Sequence, residues 1–302
     1  HIRKAANENC KIFFFTNADY PSRLKDLPDA PVLLYFQGNQ DLNCAKTVGI
    51  VGTRKGTAYG KEVIIQLAEA LQKHQPLIVS GLAYGIDIMA HKAALDLGLP
   101  TIGVMASGSD IIYPAVHKEY TQRMLTNGGL LTEYHFGAKP EAYQFPERNR
   151  IIAGMSDVLV VVEAAEKGGA LITAEIANTY NREVMAVPGN TGSKYSLGCN
   201  ALIRNHKAHI YTSPKDLEYL MNWQEGAIQK PKPKTEWLNN LSDEEKLIAQ
   251  FLMDKTSAHI DEISWKTGVS MNRLAGLLLT MEFAGLISGM PGKHFKLSGM
   301  LV

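Results

Sequence analysis

Short apolar runs alternate with segments of helical periodicity from residue 47 to residue 221 of this chain. Apolar runs of strand length separated by helices are typical of repeated β-α-β crossovers, which place parallel strands in one sheet. The alternation therefore predicts an α/β fold with an extended Rossmann-like parallel sheet and helices on both faces. The predicted strands span 48–51, 77–79, 101–105, 130–132, 158–162, 184–187 and 209–211. The predicted helices span 59–74, 86–97, 117–127, 171–181 and 214–221.

Three further regions flank this Rossmann-like domain, which we place at residues 47–228. Residues 1–46 hold two apolar runs separated by a proline-punctuated loop and predict a β-containing lead-in. Residues 229–237 combine proline with lysine and predict an extended linker. Residues 238–302 show an N-capped helix, a helix-turn-helix pattern and a hairpin, which together predict a small C-terminal winged-helix domain.

The second helix of the helix-turn-helix pattern offers few side chains that read base edges. Its strong base-reading groups are Asn272 and Arg273, whereas sequence-specific readers need several convergent donors and acceptors. We therefore expect this domain to dock a partner or to pack, rather than to read duplex sequence.

Composition excludes several classes of protein. The chain has 31 Lys and Arg against 30 Asp and Glu, so any site for a polyanion must be a local concentration of cations. Cys10, Cys44 and Cys199 form no pair of metal-binding spacing, which favours a reducing, cytoplasmic compartment. His206 and His209 lack a third convergent ligand, so no metal is predicted. No apolar run is long enough to span a membrane, and no nucleophile motif predicts a catalytic residue or a cofactor.

Glycine and cations follow the ends of the first two predicted strands. In open α/β sheets, ligands bind outside the carboxyl ends of the strands, and glycine there lets backbone N–H groups approach an anion. The first loop carries Gly52, Thr53 and Arg54, and the second begins with Ser80 and Gly81. Neither loop matches a dinucleotide or Walker-type motif. A tight turn beside a solvated arginine is the plainer alternative for the first loop.

Three later segments extend this pattern. Residues 135–154, interpreted as a loop, combine cations, a ring and an amide, the ingredients of single-strand recognition; surface ion pairs are the alternative. Residues 166–177 place two glycines, with Lys167 beside them, before a helix whose first turn exposes N–H groups. Residues 187–208 are interpreted as a loop that adds Lys194, Asn200, Arg204 and Lys207. Together the segments predict an electropositive groove for a polyanion. Their candidate residues are Lys139, Phe145, Arg148, Asn149, Arg150, Gly168, Gly169 and Asn200.

Six strings, taken in order, resemble one known family. They read GTR at 52–54, SGLAYGID at 80–87, FPERNRIIAGMS at 145–156, GGALITAEIA at 168–177, VPGN at 187–190 and GCNALI at 198–203. Over about residues 10–220 the chain resembles the DNA-processing protein A family, also called DprA or Smf. The FPERNRIIAG segment is highly specific for that family, and the winged-helix region is less distinctive.

The resemblance implies a recombination mediator that binds single-stranded DNA, protects incoming DNA and loads the RecA recombinase during natural transformation. It also implies that the protein is not an enzyme and that it forms a homodimer through the Rossmann domain. Many relatives carry a further N-terminal domain. Because this sequence starts at His1 rather than Met, we expect additional sequence upstream.

Within this resemblance, individual residues take the family's roles. Arg54 would clamp a phosphate and Phe145 would contact a base, while the pocket would be lined by Arg148, Asn149 and Arg150. We expect Arg54→Ala and Arg150→Ala each to weaken DNA binding and to leave thermal stability nearly unchanged.

Two positions depart from the pattern of some relatives. Tyr84 stands where those relatives have Arg, and Ala142 stands where they have Lys. Lys139 is the nearby cation available to compensate, so the placement of positive charge differs in this chain.

An enzyme motif provides an alternative from a different class. Nucleoside-monophosphate phosphoribohydrolases of the lysine-decarboxylase-like group share a related Rossmann core, and their PGGxGTxxE motif uses its acid in N-glycosidic cleavage. Here Gly168, Gly169 and Glu175 keep that spacing, but Lys167 replaces the proline and apolar residues replace the second Gly and Thr. The motif is degraded. A phosphoribohydrolase-like enzyme therefore remains the alternative, beside an interaction scaffold with no nucleic-acid role.

Overall fold

The structure is a computed structural model, and it describes residues 8, 10–223, 241–253, 255, 257–290 and 292–297. The chain divides into two compact units, His1–Gln224 and Glu225–Val302. The predicted linker at 229–237 lies outside the described residues. Within the described part of the chain, no helix combines the length and the apolar character needed to cross a membrane.

The first unit is built on one sheet of nine strands with helices packed against it. Its strands are β1 (Cys10–Phe14), β2 (Leu33–Gly38), β3 (Thr47–Val51), β4 (Leu77–Ser80), β5 (Thr101–Val104), β6 (Gly128–Thr132), β7 (Val158–Val161), β8 (Glu183–Ala186) and β9 (His209–Ile210). Its helices are α1 (Ser22–Lys25), α2 (Ala58–Leu71), α3 (Ile86–Asp96), α4 (Lys118–Thr126), α5 (Gln144–Met155), α6 (Gly169–Thr179), α7 (Leu197–Arg204) and α8 (Pro214–Leu220), with a 3-10 turn at Ala115–His117.

The strands lie in the order β1-β2-β6-β5-β4-β3-β7-β8-β9. From β6 across to β9, each neighbouring pair is parallel. The lead-in adds β2 antiparallel to β6, and β1 antiparallel to β2. The predicted Rossmann-like sheet is therefore confirmed, and the lead-in extends it with an antiparallel edge.

Both faces of the sheet are buried, which explains why its strands read as nearly continuous apolar runs. In β4, Leu77 and Val79 belong to the apolar cluster on one face, and Ile78 belongs to the cluster on the other. Helices α5 and α6 contribute to the first cluster, and α2 and α3 contribute to the second. The predicted helices on both faces are thus present.

Helix α5 corrects the interpretation of residues 135–154 as a loop. Most of the surface of this helix is buried, including Arg148 and Asn149. Its sequence therefore lacks the one-sided apolar stripe by which an amphipathic helix is detected. Pro146 lies in the first turn, where backbone N–H groups have no partner within the helix and proline is tolerated.

Helix α7 corrects the loop predicted at residues 187–208. It is a helix of eight residues, and a glycine in its first turn weakens the helical signal. Gly198 is required there by close packing, since a Cβ at this position would lie 2.4 Å from the Ala165 carbonyl oxygen. Close approach of two backbones, rather than helix propensity, explains the local sequence.

The second unit is a winged helix, which confirms the predicted C-terminal domain. The reciprocal cap at its start joins Ser242 and Glu245: the Ser242 N–H donates to Glu245 Oε2 at 2.9 Å, and the Glu245 N–H donates to Ser242 Oγ at 3.4 Å,. The second helix of the unit ends at Gly268, whose φ of 72° suits glycine,. Its elements are α9 (Asp243–Met253), β10 (Ala258–His259), α10 (Ile260–Thr267), α11 (Met271–Phe283), β11 (Ile287–Met290) and β12 (His294–Leu297).

Candidate functional site

A cavity of about 550 Å³ lies where the order of the strands reverses. Strand β3 has β4 on one side and β7 on the other, and the chain continues outward in both directions from it. Such a switch point opens a crevice at the carboxyl ends of parallel strands. The cavity is lined by Val51, Gly52, Thr53, Arg54, Ala83, Asp87, Ala142, Phe145, Pro146, Arg148, Asn149, Ile152, Ala164, Ala165, Lys167, Gly168, Gly169, Ala170, Ile172 and Thr173.

The loop after β3 is held against the end of β7 by the buried carboxylate of Glu163. The Thr57 N–H and hydroxyl donate to its two oxygens at 2.8 and 2.7 Å, and the Thr53 N–H donates to the Glu163 carbonyl at 2.7 Å. Gly52 is required in this loop, because a Cβ there would lie 2.5 Å from the Ile86 side chain. The fold therefore fixes the backbone on both sides of Thr53.

Arg54 is exposed at the mouth of the cavity and lies against an aromatic ring. Its guanidinium carbon is 5.4 Å from the centroid of the Phe145 ring, a distance suited to a cation–π contact. Phe145 comes from the first turn of α5 and contacts Tyr113, with ring centroids 5.7 Å apart. A cation and a ring therefore lie side by side on a surface open to a ligand.

The floor of the cavity contains two buried side chains of opposite charge, Arg148 and Asp87. Nη1 of Arg148 donates to the carbonyl of Gly81 and, at 2.5 Å, to that of Val104, while Asp87 Oδ2 accepts from the Gly81 N–H at 3.1 Å. Burial lowers the pKa of Arg148 to about 10, and the Asp87 carboxylate opposes the shift. Burial raises the pKa of Asp87, and Arg148 opposes that shift. The arginine therefore remains charged near neutral pH.

Nε of Arg148 is buried and has no hydrogen-bond partner among the described residues. Unpaired buried donors are costly, which makes them good partners for a ligand atom.

The amino end of α6 forms another wall of the cavity. Gly168 and Gly169 are exposed there, and the first N–H groups of a helix have no partner within it. The Asn149 side chain donates to the Gly169 carbonyl at 3.4 Å, which holds α5 against α6. Lys167 is exposed beside these glycines. Backbone donors, the helix dipole and a cation thus converge on a position that favours an anion.

The structure brings together the predicted site residues Gly52, Thr53, Arg54, Phe145, Arg148, Asn149, Gly168 and Gly169. The others, Ser80, Gly81, Lys139, Arg150 and Asn200, lie outside the cavity lining.

Two of these outlying residues form bonds within the fold instead. The Ser80 hydroxyl donates to the Ile50 carbonyl at 2.6 Å. The Asn200 amide bonds both to the N–H and to the carbonyl of Gly189, at 3.1 and 2.9 Å. The first bond joins the ends of β4 and β3, and the second ties the loop after β8 to α7. Lys139 is exposed and lies outside the cavity lining.

Arg150 is also committed to a contact within the protein. Its guanidinium pairs with Glu133, and both side chains are less than one-fifth exposed. Burial raises the pKa of Glu133, and Arg150 opposes that rise. Removing Arg150 would leave a desolvated carboxylate without its cation, so the expectation that Arg150→Ala preserves stability does not fit this environment.

Tyr113 was not selected from the sequence. Lys167, which the sequence places beside the two glycines, and Asp87, which it offers only as a carboxylate favourable to a helix N-terminus, both line the cavity. Tyr113 lies in the loop after β5, which carries no cation beside its glycine and so gave no anion-binding signal. An exposed ring in a loop after a parallel strand is the signal that would have identified it.

The arrangement is suited to binding rather than to metal chemistry. It combines an exposed cation and ring, backbone N–H groups and a buried donor. In the described part of the chain, no group of three or more His, Cys, Asp or Glu side chains is placed to hold a metal ion.

Comparison with known families gives two matches. Residues 11–222 match the family described as DNA recombination-mediator protein A, and residues 232–293 match the DprA winged helix domain. The chain is 38% identical over 275 residues to a putative DNA processing protein DprA of Mycobacterium tuberculosis, covering 90% of this chain and 70% of the relative. It is 40% identical over 206 residues to DNA processing protein DprA of Bacillus subtilis, covering 68% and 69%.

Solved structures agree with these matches. The chain is similar to DprA of Streptococcus pneumoniae, with a TM-score of 0.68 and 37% identity over 72% of this chain and 77% of that one. It is also similar to DprA of Helicobacter pylori, whose structure is described as giving insight into a single-stranded DNA binding mode. That match has a TM-score of 0.64 and 29% identity over 72% of this chain and 97% of that one.

Proposed function

Because this chain belongs to the DNA recombination-mediator protein A family, we propose that its first unit binds single-stranded DNA at the cavity beside β3. The observation that carries this proposal is the pairing of exposed Arg54 with the Phe145 ring at 5.4 Å over that cavity. A phosphate needs a cation, and an unpaired base needs an aromatic face. Arg54 and Phe145 are close enough for the phosphate and the base of one nucleotide to contact both.

The remaining groups divide by depth in the cavity. Arg54, Lys167 and the N–H groups at the start of α6 lie at the rim, where a phosphate keeps part of its hydration. Arg148 lies at the floor, where its unpaired Nε–H suits an acceptor atom of a base edge,. This arrangement supports a bound nucleotide whose base points inward and whose phosphate stays at the rim.

The wider role follows the family. We propose that the protein protects single-stranded DNA and loads RecA recombinase onto it, as a homodimer, during natural transformation. The Helicobacter pylori relative, described in terms of single-stranded DNA binding, supports the ligand in this proposal. The role requires binding and transfer without bond cleavage, so we propose a mediator rather than an enzyme.

The hydrolase alternative gains no support from the geometry. It requires the carboxylate of Glu175 in the cavity, but Glu175 lies outside the lining and forms an ion pair with Lys207. The acid that does line the cavity, Asp87, is buried, is stabilised electrostatically by Arg148 and accepts a backbone hydrogen bond.

Titration of a fluorescent oligothymidylate of about ten nucleotides tests the proposal. We expect binding that weakens as salt rises, because phosphate neutralisation releases counterions. Arg54→Ala should raise Kd by about tenfold or more, since a hydrogen bond to a charged group contributes about 1.5–3 kcal/mol. It should also reduce the slope of log K against log salt by about 0.7.

Arg123→Ala is the matched control, because Arg123 is exposed on α4 and lies outside the cavity lining. Its Kd should equal that of the wild type, and its melting temperature should stay close, since the ion pair of Arg123 with Asp96 is exposed,. Equal affinities for Arg54→Ala and Arg123→Ala would contradict the proposed site.

A further inference from the structure

Two tyrosines outside the cavity lining lie close to Arg54 or to its ring partner. Tyr113 is 48% exposed and Tyr84 is 49% exposed. Tyr113 contacts the ring of Phe145, with centroids 5.7 Å apart in an edge-to-face arrangement. Tyr84 precedes Gly85, where an added Cβ would be 2.7 Å from the Arg54 carbonyl oxygen. Rings from the loops after β4 and β5 and from α5 therefore lie in the neighbourhood of Arg54.

The loop that carries Tyr113 is fixed before any ligand arrives. The Ser107 hydroxyl donates to the Ile111 carbonyl at 2.7 Å, and the Thr132 hydroxyl donates to the Ser107 carbonyl at 2.8 Å. The Gly108 N–H donates to the Ala138 carbonyl at 2.9 Å. The backbone below Tyr113 is thus tied to the ends of the neighbouring strands, so its ring is presented by an ordered backbone.

Tyr84 is supported in a comparable way by a buried histidine. Its ring contacts the ring of His117 edge-to-face, with centroids 5.2 Å apart. His117 Nδ1 in turn donates to the Leu82 carbonyl at 2.8 Å. One edge of the Tyr84 ring is therefore held while about half of the residue remains in water.

Neither tyrosine has a visible structural task for its hydroxyl group. Within the described residues, the hydroxyl groups of Tyr84 and Tyr113 form no hydrogen bond, whereas the equally exposed Tyr59 donates to the Pro188 carbonyl at 2.8 Å. Aromatic rings that are half exposed and held by ordered neighbours lose little conformational entropy when a flat ligand stacks on them.

We propose that Tyr84 and Tyr113 form a second subsite, in which they stack unpaired bases that neighbour the nucleotide held at Arg54. This subsite rests on the proposed binding of single-stranded DNA and extends the contact from one nucleotide to at least three. Stacking tolerates any sequence, because every base has an aromatic face. The subsite therefore adds affinity without adding base preference.

The test compares two ligands, an oligothymidylate and an abasic oligonucleotide of the same length that has the sugar-phosphate backbone alone. Tyr113→Leu and Tyr84→Leu remove the ring and keep an apolar side chain. Each should raise Kd for the oligothymidylate by about fivefold to tenfold, and neither should change Kd for the abasic chain. Tyr113→Phe and Tyr84→Phe should bind both ligands like the wild type.

Tyr219→Leu is the matched control, because Tyr219 on α8 is 76% exposed and lies outside the cavity lining. Leucine variants that bind oligothymidylate like this control would overturn the subsite and leave the site at Arg54 intact. An equal loss for both ligands would show that the rings act only by holding the loops, which also overturns it. If the wild type bound neither ligand, the proposed function would fail together with the subsite.

Discussion

The two units of the chain place their ligand-facing groups in opposite ways. In the first unit, the candidate groups come from the ends of β3, β4 and β7 and from α5, and backbone geometry brings them together. In the second unit, DNA reading would depend on side chains along α11, and that helix exposes Leu279 and Phe283. Its arginine, Arg273, is paired with Glu244 at 2.6 Å. In the first unit the order of the strands brings the groups of the site together, whereas in a winged helix DNA binding depends on which side chains the helix exposes.

The largest expected difference between the units is in how much stability changes when a glycine is replaced by alanine. Gly85 in the first unit has a φ of 76°, and a Cβ there would lie 2.2 Å from the Thr53 carbonyl oxygen. We expect Gly85→Ala to lower the free energy of unfolding by about 3 kcal/mol, since both the backbone conformation and the contact are unfavourable for alanine. It should also displace Arg54 and abolish DNA binding.

Gly276 in α11 is the counterpart in the second unit, because a Cβ there meets no atom within 4 Å. Gly276→Ala should raise the free energy of unfolding by about 0.5–1 kcal/mol through helix propensity. Calorimetry of the two full-length variants measures both effects. Similar small shifts for both would contradict the described packing around Arg54.

A second, smaller difference concerns the arginine ion pairs. Arg150→Ala should cost about 2 kcal/mol, because it leaves the partly buried Glu133 unpaired. Without Arg150, burial would raise the pKa of Glu133 further. A carboxyl whose folded pKa is raised stabilises the fold below its unfolded pKa, and this contribution is lost as pH rises through the folded pKa. The cost should therefore be larger at about pH 7 than at about pH 4.5.

Arg273→Ala is the comparison in the second unit, where the side chains of Arg273 and Glu244 are 66% and 37% exposed. Exposed pairs contribute little, so the change should stay within about 0.5 kcal/mol at both pH values. Urea unfolding of both variants provides the measurement. A cost for Arg150→Ala that does not depend on pH would show that Glu133 is not the group left unpaired.

The smallest expected effect is on DNA binding by the second unit. Asn272 is exposed on α11 and is its strongest remaining base-reading group,. We expect Asn272→Ala to change Kd for single-stranded and duplex oligonucleotides by less than about twofold, because a single amide gives little affinity when the adjacent cation, Arg273, is already paired with Glu244,. A tenfold loss for duplex DNA would assign the second unit a DNA-reading role.

The inner strands β3 to β7 could be predicted from the sequence because each is buried on both faces and reads as an apolar run. Helix α5 could not, because its buried surface includes Arg148 and Asn149, whose polarity is compensated by hydrogen bonds that sequence does not show. The lead-in was predicted only as a β-containing segment. Its place in the sheet could not be predicted, because the pairing of β2 with β6 is a long-range contact.

The candidate site was predictable where glycine follows a strand, as at Gly52 and Gly168. It was not predictable where a polar side chain forms hydrogen bonds to the protein's own backbone instead of facing a ligand, as the side chains of Ser80 and Asn200 do. A polar residue beside a glycine-rich loop has the same appearance in sequence whether it faces a ligand or holds a neighbouring strand.

Arg148 ties α5 to the loop after β4 and to the last residue of β5 through two carbonyl groups, so the bottom of the cavity behaves as a single block. The residues above it, Arg54 and Lys167, are exposed. A change in which ligand this protein prefers should therefore be sought at Arg54 and Lys167, with Arg148 and its carbonyl partners kept. A changed side chain at the rim alters the ligand that is accepted without altering the scaffold.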